Sequence, residues 1–221
     1  MENSKKGKGV IMFMGAPGSG KGTQARFVQE RLGFERIETG KILRSMRTES
    51  TEVAKMITAI IDAGTLAPPP IVVEIVVGKT KEILARGNGV VFDGSPRTLY
   101  EVEALLAELG KDHVGKILAI CLDIPIMNAR ERLLVRMVCE KCNTPAIVGT
   151  EKCQKCGAQL VKRVDDVPEA MENRWEEFKY RTQPVINYLD SLGLSEHIDG
   201  ARPITEVAED VEKVIRKRLG L

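Results

Sequence analysis

Aromatic side chains are scarce in this 221-residue chain, at 4% with a single tryptophan, and histidine occurs only twice. His113 and His197 stand alone, with no metal-ligand partner near them in sequence, so ordinary structural roles are expected. Trp175 and Phe178 fall on one helical face and read as packing residues rather than a stacking platform. Charge of one sign is lacking too. The 33 basic and 31 acidic residues leave a net charge of +2, which excludes a global polycation for nucleic acid or anionic membranes. No apolar run approaches the roughly 20 residues of a bilayer span. Met1 to Gly9 lacks the apolar stretch of a secretory leader, so a solvated lead-in and a cytoplasmic location are expected. Internal repeats and low-complexity tracts are absent, and the length suits one domain with insertions or two small ones. Charged residues at 29% beside so few aromatics are compatible with heat adaptation.

Against this background, residues 15 to 23 read Gly-Ala-Pro-Gly-Ser-Gly-Lys-Gly-Thr, directly behind the apolar run Val10 to Met14. In such a turn successive backbone N–H groups point inward, and the following helix presents its positive dipole end to the same anion. Gly15, Gly18, Gly20 and Gly22 admit conformations and close approaches that a Cβ would block. Pro17 and Ser19 complete the loop, Lys21 reaches toward β- and γ-phosphates, and Thr23 offers a hydroxyl toward Mg²⁺. The generic motif has Ser or Thr directly after the lysine. Here Gly22 intervenes.

Short β-rich runs alternate with helical patterns, as in a mostly parallel α/β sheet. Strands are expected at Val10–Met14, Glu35–Ile37, Val90–Phe92, Ile117–Leu122 and Glu196–Ile198. Helices are expected at Lys21–Leu32, Lys41–Arg47, Glu52–Ala63, Ile71–Arg86, Leu99–Glu108, Ile126–Val135, Glu169–Leu192 and Ile204–Leu219. Pro68-Pro69-Pro70 reads as a bend ahead of a helix starting at Ile71. Val53, Met56, Ile57, Ile60 and Ile61 form an apolar face expected in the core, part of it available for self-association.

Cys139-x-x-Cys142 is followed after ten residues by Cys153-x-x-Cys156. Each pair can form a knuckle, and Asn143 and Gly157, which follow the pairs, tolerate the positive φ such turns often need. Four thiolates make a closed tetrahedral site, so structural Zn²⁺ is the leading reading. Disulfides or free thiols compete with it, and iron is a further occupant of such a set. Cys121, inside an expected strand, reads as a small buried hydrophobe.

Phosphoryl transfer demands positioning and charge neutralisation more than covalent chemistry. Asp93, at a strand end, is placed to hold the hydration shell of Mg²⁺, a turn-forming aspartate being the alternative. Arg97 follows it, pinned by Pro96. Arg44, Arg132, Arg136, Arg163 and Arg174 are the other candidates, with Arg132 and Arg136 on one helical face.

These motifs together resemble the adenylate kinase family of nucleoside monophosphate kinases along nearly the whole chain. The loop at 15 to 24, with its Gly22, resembles the family P-loop. Thr39-Gly40 with Ile42-Leu43-Arg44 is similar to the monophosphate-binding segment, and Asp93-Gly94-Ser95-Pro96-Arg97-Thr98 to the family's Asp-Gly-Phe-Pro-Arg-Thr. Arg132 and Arg136 fall at the lid entry, the four cysteines resemble the zinc-bearing lid of many members, and Arg163-Val164-Asp165-Asp166, Arg174, Thr182 and Pro184 resemble the lid exit and the helix beyond. Gly200-Ala201-Arg202-Pro203 is similar to the turn that meets the donor base.

The resemblance implies a P-loop NTPase-like five-stranded parallel sheet, with a core of residues 1–38, 87–134 and 173–221, a monophosphate-binding insertion at 39–86 and a zinc-binding lid at 135–172. It implies reversible, Mg²⁺-dependent transfer from ATP, or another triphosphate, to AMP, with no nucleic acid or membrane partner and the oligomeric state open. Lys21, Arg97, Arg132, Arg136, Arg163 and Arg174 would stabilise the transferring group. Thr39, Gly40, Arg44, Gly94 and Glu101 would join Arg97, Arg163 and Arg174 around the acceptor, and Arg202 would join Arg132 around the donor.

The chain departs from the family pattern at Lys41, Ser95, Pro69-Pro70, Val135 and Glu101, which replace Asp, Phe, Asp-Glu, Gly and Gln. At Glu101 a group that both donates and accepts gives way to one that, ionised, only accepts. It suits adenine's amino group, or the ring N–H and amino group of guanine, or a capping box with Thr98. A GMP-directed kinase and a non-enzymatic P-loop or zinc-ribbon adaptor are the alternatives.

Overall fold

The computed structural model describes residues 9–46, 50–142, 144–146, 149–163 and 167–221, the side chains of 110–114 excepted. The lead-in, Arg47, Asn143, the side chain of His113 and Val164-Asp165-Asp166 lie outside the described residues. Among those described, the strands are β1 (Val10–Met14), β2 (Glu35–Glu38), β3 (Val90–Asp93), β4 (Ile117–Asp123), β5 (Met137–Cys139), β6 (Leu160–Lys162) and β7 (Ser195–Asp199). Five of them form a sheet in the order β2-β3-β1-β4-β7, with every neighbouring pair parallel. The chain therefore steps to one side of β1 and then to the other, and the crevice beyond the carboxyl ends of β1, β3 and β4 is the natural ligand position in such a sheet.

Helices cover both faces: α1 (Lys21–Leu32), α2 (Thr39–Ser45), α3 (Glu52–Asp62), α4 (Pro69–Ala85), α5 (Leu99–Val114), α6 (Ile126–Leu134), α7 (Pro168–Glu177), α8 (Gln183–Ser191) and α9 (Ile204–Leu219). Strand side chains alternate, so β1 divides its residues between two cores. Val10, Met12 and Met14 belong to one core with Ile57 of α3, Val76 of α4, Leu105 of α5 and Leu189 of α8. Ile11 and Phe13 meet Ala25 and Val28 of α1 and Val207, Val211 and Ile215 of α9. Cover on both sides explains why β1 and β4 are continuous apolar runs. Each large side chain fully withdrawn from water contributes about 1.5–3 kcal/mol.

Several expectations are corrected. Pro69 and Pro70 are not a bend ahead of a helix but its first turn, with Pro68 as the N-cap. The N–H groups that proline lacks have no helical acceptor there, so nothing is lost. The expected helix Glu169–Leu192 is interrupted: a π turn at Phe178–Thr182 separates α7 from α8, and Gln183 N–H reaches back five residues to the Phe178 carbonyl. Pro184 has no N–H to offer in a regular α turn, which locates the irregularity. On α3, Val53 and Met56 are exposed while Ala54 and Ile57 are buried, so only part of the expected face is core. Helix α5 extends beyond Glu108 to Val114, and α2 begins at Thr39 rather than Lys41. Strands β5 and β6, absent from the sequence reading, pair antiparallel. Three-residue strands are too short for alternation to register.

The α3–α4 hairpin is tied to α7. Asn173 Nδ2 donates to the Ala63 carbonyl at 2.7 Å, and a Cβ on Gly64, whose φ is +79°, would stand 2.3 Å from the Ala170 carbonyl oxygen. Gly64→Ala is expected to cost about 1–3 kcal/mol. Gly78→Ala, on α4 with no atom within 4 Å of the new Cβ, is expected to add about 0.5–1 kcal/mol by helix propensity. Denaturant midpoints of the two variants should move in opposite directions.

Candidate active site

Helix α1 opens on Gly20, which carries no side-chain cap. The first N–H groups of α1 are thus left for whatever sits before them, and an anion is the matching partner. Lys21 folds its Nζ back over the loop, donating to the Gly15 and Ala16 carbonyls at 2.7 and 2.8 Å. Burial, then the guanidinium of Arg97, pushes its pKa down to about 7; Asp93 opposes this, and Arg174 and Arg136 reinforce it.

Gly22 has a steric cause. A Cβ there would stand 2.8 Å from Asp93 Oδ2, so the strand-end carboxylate approaches the start of α1 because this position is bare. That approach brings Asp93 beside Lys21 and Thr23 at the mouth of a cavity of about 740 Å³. The cavity takes in every residue expected around the donor: Gly15, Pro17, Gly18, Ser19, Gly20, Lys21, Gly22, Thr23, Arg132 and Arg202, with Asp93, Arg97, Arg136, Arg163 and Arg174 on its walls. Its size suits a nucleotide. Arg132 donates to the Gly200 and Ala201 carbonyls at 2.9 and 3.1 Å, tying α6 to the turn behind β7. Arg136 lies past the end of α6 yet reaches the same space. Arg202 pairs with Asp210 and, at 3.8 Å, with Asp199.

A smaller cavity of about 70 Å³ adjoins it. All eight residues expected around the acceptor line it: Thr39, Gly40, Arg44, Gly94, Arg97, Glu101, Arg163 and Arg174. Gly40, Arg44, Gly94, Arg97, Arg163 and Arg174 line both spaces. Thr39 Oγ1 is buried with no hydrogen-bond partner, the condition of a group whose partner is a ligand. Arg97 is held by its own turn, Nε donating to the Gly94 carbonyl at 2.8 Å.

Glu101 is 4% exposed. Its Oε2 accepts from Arg97 N–H at 2.8 Å and Ser95 Oγ at 3.1 Å, and its Oε1 from Thr98 Oγ1 at 3.2 Å. The Glu101 N–H donates in turn to Thr98 Oγ1. This is the capping box in a shifted form, with the carboxylate serving the residue before the cap. Burial pushes the carboxyl pKa up, and these hydrogen bonds pull against it. Two residues the sequence reading passed over also line the large cavity: Arg36, which donates to the Gly22 carbonyl at 3.1 Å, and Glu38, its ion-pair partner. The signal was available in Glu-Arg-Ile-Glu, whose alternation puts both on the face opposite Ile37.

The four cysteines converge on the β5–β6 hairpin. Cys139, Cys142, Cys153 and Cys156 place their sulfurs within 4.8 Å of one another, with separations of 3.4 Å for Cys139–Cys156 and 3.6 Å for Cys142–Cys153 and Cys142–Cys156. Sulfurs bonded at about 2.3 Å to one tetrahedral ion stand about 3.8 Å apart, so the set fits zinc with little adjustment. Cys142 N–H donates to Cys139 Sγ at 3.4 Å, and Gly157, at φ +72°, returns its N–H to the Cys153 carbonyl at 2.8 Å. All four thiols are free of disulfides. Cys121 is buried, as expected.

A family model described as adenylate kinase matches residues 13–194. This chain belongs to the adenylate kinase family. It is 38% identical to an adenylate kinase of Methanothrix thermoacetophila, over 94% of this chain and 98% of that protein. It is 33% identical to one of Thermodesulfovibrio yellowstonii, over 94% and 99%, and 34% identical to one of Archaeoglobus fulgidus, over 94% and 98%. The family match takes in the P-loop, both cavities' arginines up to Arg174 and the four cysteines; Arg202 falls beyond it.

Lys21 yields a pH prediction. A bound triphosphate favours the ammonium, while the free site holds a lysine that loses its proton near pH 7. Nucleotide binding at about pH 8.5 should therefore take up a proton, and affinity should fall by up to about tenfold per unit as pH rises above 7. Calorimetric titrations in buffers of different ionisation enthalpy measure the uptake, which Lys21→Met should abolish; equal uptake in both proteins would contradict the assignment.

Proposed function

We propose that the chain carries out the family reaction, reversible phosphoryl transfer from MgATP to AMP, with both nucleotides sharing the large cavity and AMP reaching from it into the small one past Gly40, Arg44, Gly94 and Arg97. The observation that carries this reading is the shared wall: Arg97, Arg163 and Arg174 border both spaces, so the γ-phosphate of one nucleotide and the acceptor phosphate of the other meet among the same guanidiniums. A nucleotide switch or adaptor has no use for the second cavity.

In this reading Lys21 leaves the loop carbonyls and follows the β- and γ-phosphates, while the N–H groups at the start of α1 hold them. Arg97, Arg132, Arg136, Arg163 and Arg174 balance charge spread over the transferring oxygens. The acceptor is already an anionic phosphate, so no general base is required. Asp93 and Thr23 offer the hard oxygen ligands that Mg²⁺ prefers, and the ion would neutralise phosphate charge. Thr39 and Arg44 hold AMP, and Thr39 Oγ1 gains the partner it lacks. Glu101, an acceptor only, bonds adenine's amino group with the capacity left by its capping role. The donor base meets mainly backbone of the turn at Gly200 and Ala201, whose carbonyls Arg132 already occupies; GTP and other triphosphates therefore substitute for ATP.

Residues 39–86 and 135–172 act as the closing segments, excluding water that would otherwise take the phosphoryl group. Zinc held by the four cysteines makes the second a rigid unit. The enzyme works in the cytoplasm; among the described residues no helix is long and apolar enough to cross a membrane.

A coupled assay over a matrix of triphosphate donors and AMP, GMP, CMP and UMP acceptors tests the reaction and its bases. AMP should lead clearly, and equal efficiency with GMP would overturn the acceptor assignment. Arg97→Ala should lower kcat by about 10³ to 10⁵; turnover within tenfold of the parent would remove Arg97 from this role. Chelating the hairpin ion should lower Tm and open 135–172 to protease before the sheet, and an unchanged melting curve in metal-free protein would rule out the structural role.

A further inference from the structure

Outside the nucleotide cavities and the cysteine hairpin, a second group of metal-ligating atoms lies at the edge of the sheet. Cys121 of β4 and His197 of β7 are direct partners in the parallel register, so their side chains leave the same face. The neighbouring pair Leu122 and Ile198 packs on the opposite face, with α9. Helix α8 covers the cysteine side through Val185, Ile186 and Leu189, and its next residue is Asp190. One ligand atom each from Cys121, Asp190 and His197 falls within 4.8 Å of the others.

Two features distinguish this group from an ordinary polar patch. The Cys121 side chain is fully buried, carries a free thiol and makes no hydrogen bond among the described residues, although it faces two polar groups. The imidazole is oriented from behind: His197 Nδ1 lies 2.8 Å from Asp123 Oδ2, while Nε2 lies 3.2 Å from Asp190 Oδ1. Two ligands bonded at about 2.0–2.1 Å to one tetrahedral ion stand about 3.3 Å apart. A carboxylate behind a ligating histidine is the usual outer partner that fixes ring and tautomer.

We propose that Cys121, Asp190 and His197 form a second metal site, taking a divalent ion of the zinc class, with Asp123 as the outer partner of His197. Sulfur, imidazole and carboxylate together select Zn²⁺ or Co²⁺ over Mg²⁺ or Ca²⁺. The four-cysteine site is closed. This one has three protein ligands, with His197 and Asp190 reached by solvent, so water completes the tetrahedron and the ion exchanges more freely. Its position gives it a consequence at the nucleotide. The Asp123 carbonyl accepts from Gly200 N–H at 2.7 Å, and Gly200 is the residue whose carbonyl holds Arg132. An ion joining β4, β7 and α8 braces the base of that turn.

Co²⁺ titration of full-length protein already loaded with zinc in the hairpin tests the proposal. The parent should bind one further equivalent, with tetrahedral visible bands and sulfur-to-cobalt charge transfer. His197→Gln, at a half-exposed position, should lose that equivalent, Cys121→Ala should lose the charge transfer, and Asp123→Asn should weaken binding about 10- to 100-fold. Cys142→Ser with Cys156→Ser, which disrupts the hairpin site, should keep it. No additional equivalent in the parent, or one that persists in His197→Gln, would overturn the site and leave a hydrogen-bonded cluster.

Discussion

The crowding of positive charge around one anion's place is the constraint on which the molecule depends. Burial first, and then the charge of Arg97 with that of Arg174 and Arg136 behind it, loosens the Lys21 proton, while Asp93 opposes the loss. Like charges in a partly dehydrated space repel strongly, so gathering them has a cost. The sheet makes it tolerable: β1, β3 and β4 end together, and their loops and helices bring the cations in from separate directions. A phosphate among these cations would offset that cost, which makes the arrangement suited to an anion.

A different economy governs the β5–β6 hairpin. It pairs two three-residue strands, and among the described residues Val138, Cys139 and Cys153 are its buried apolar members. So small a unit cannot order itself by burial alone. Four sulfurs at near-tetrahedral spacing are a set that metal–ligand bonds would tie together in place of a core.

The central sheet was legible because its signals are long and redundant. Val10–Met14 and Ile117–Asp123 are nearly unbroken apolar runs, and α1 and α9 match residue for residue. The P-loop, the arginines and the cysteines were legible because phosphate and metal chemistry restrict residue type. Less visible was whatever depends on neighbours far along the chain. The role of Gly22 needs Asp93 to be understood, and the packing of α3 depends on which side meets α2. His197 stands alone in sequence, whereas strand pairing sets it against Cys121 and Asp123. Glu101 carried two readings, and the fold supports the capping one directly while leaving the carboxylate on the wall of the small cavity.

The π turn at Phe178–Thr182 lies where α7 passes into α8. Each residue advances a helix by about 100°, and the wide turn accommodates one more residue than an α turn would. Removing a residue here would close the wide turn into a regular α turn, at the loss of the Gln183 N–H bond to the Phe178 carbonyl, with Val185, Ile186 and Leu189 still facing the sheet. It would also unseat Thr182, whose hydroxyl donates to the Arg97 carbonyl at 3.2 Å. The extra residue between Arg174 and Pro184 is thus absorbed locally, where it sets the Thr182 hydroxyl against the backbone of the Arg97 turn while α8 keeps its face to the sheet.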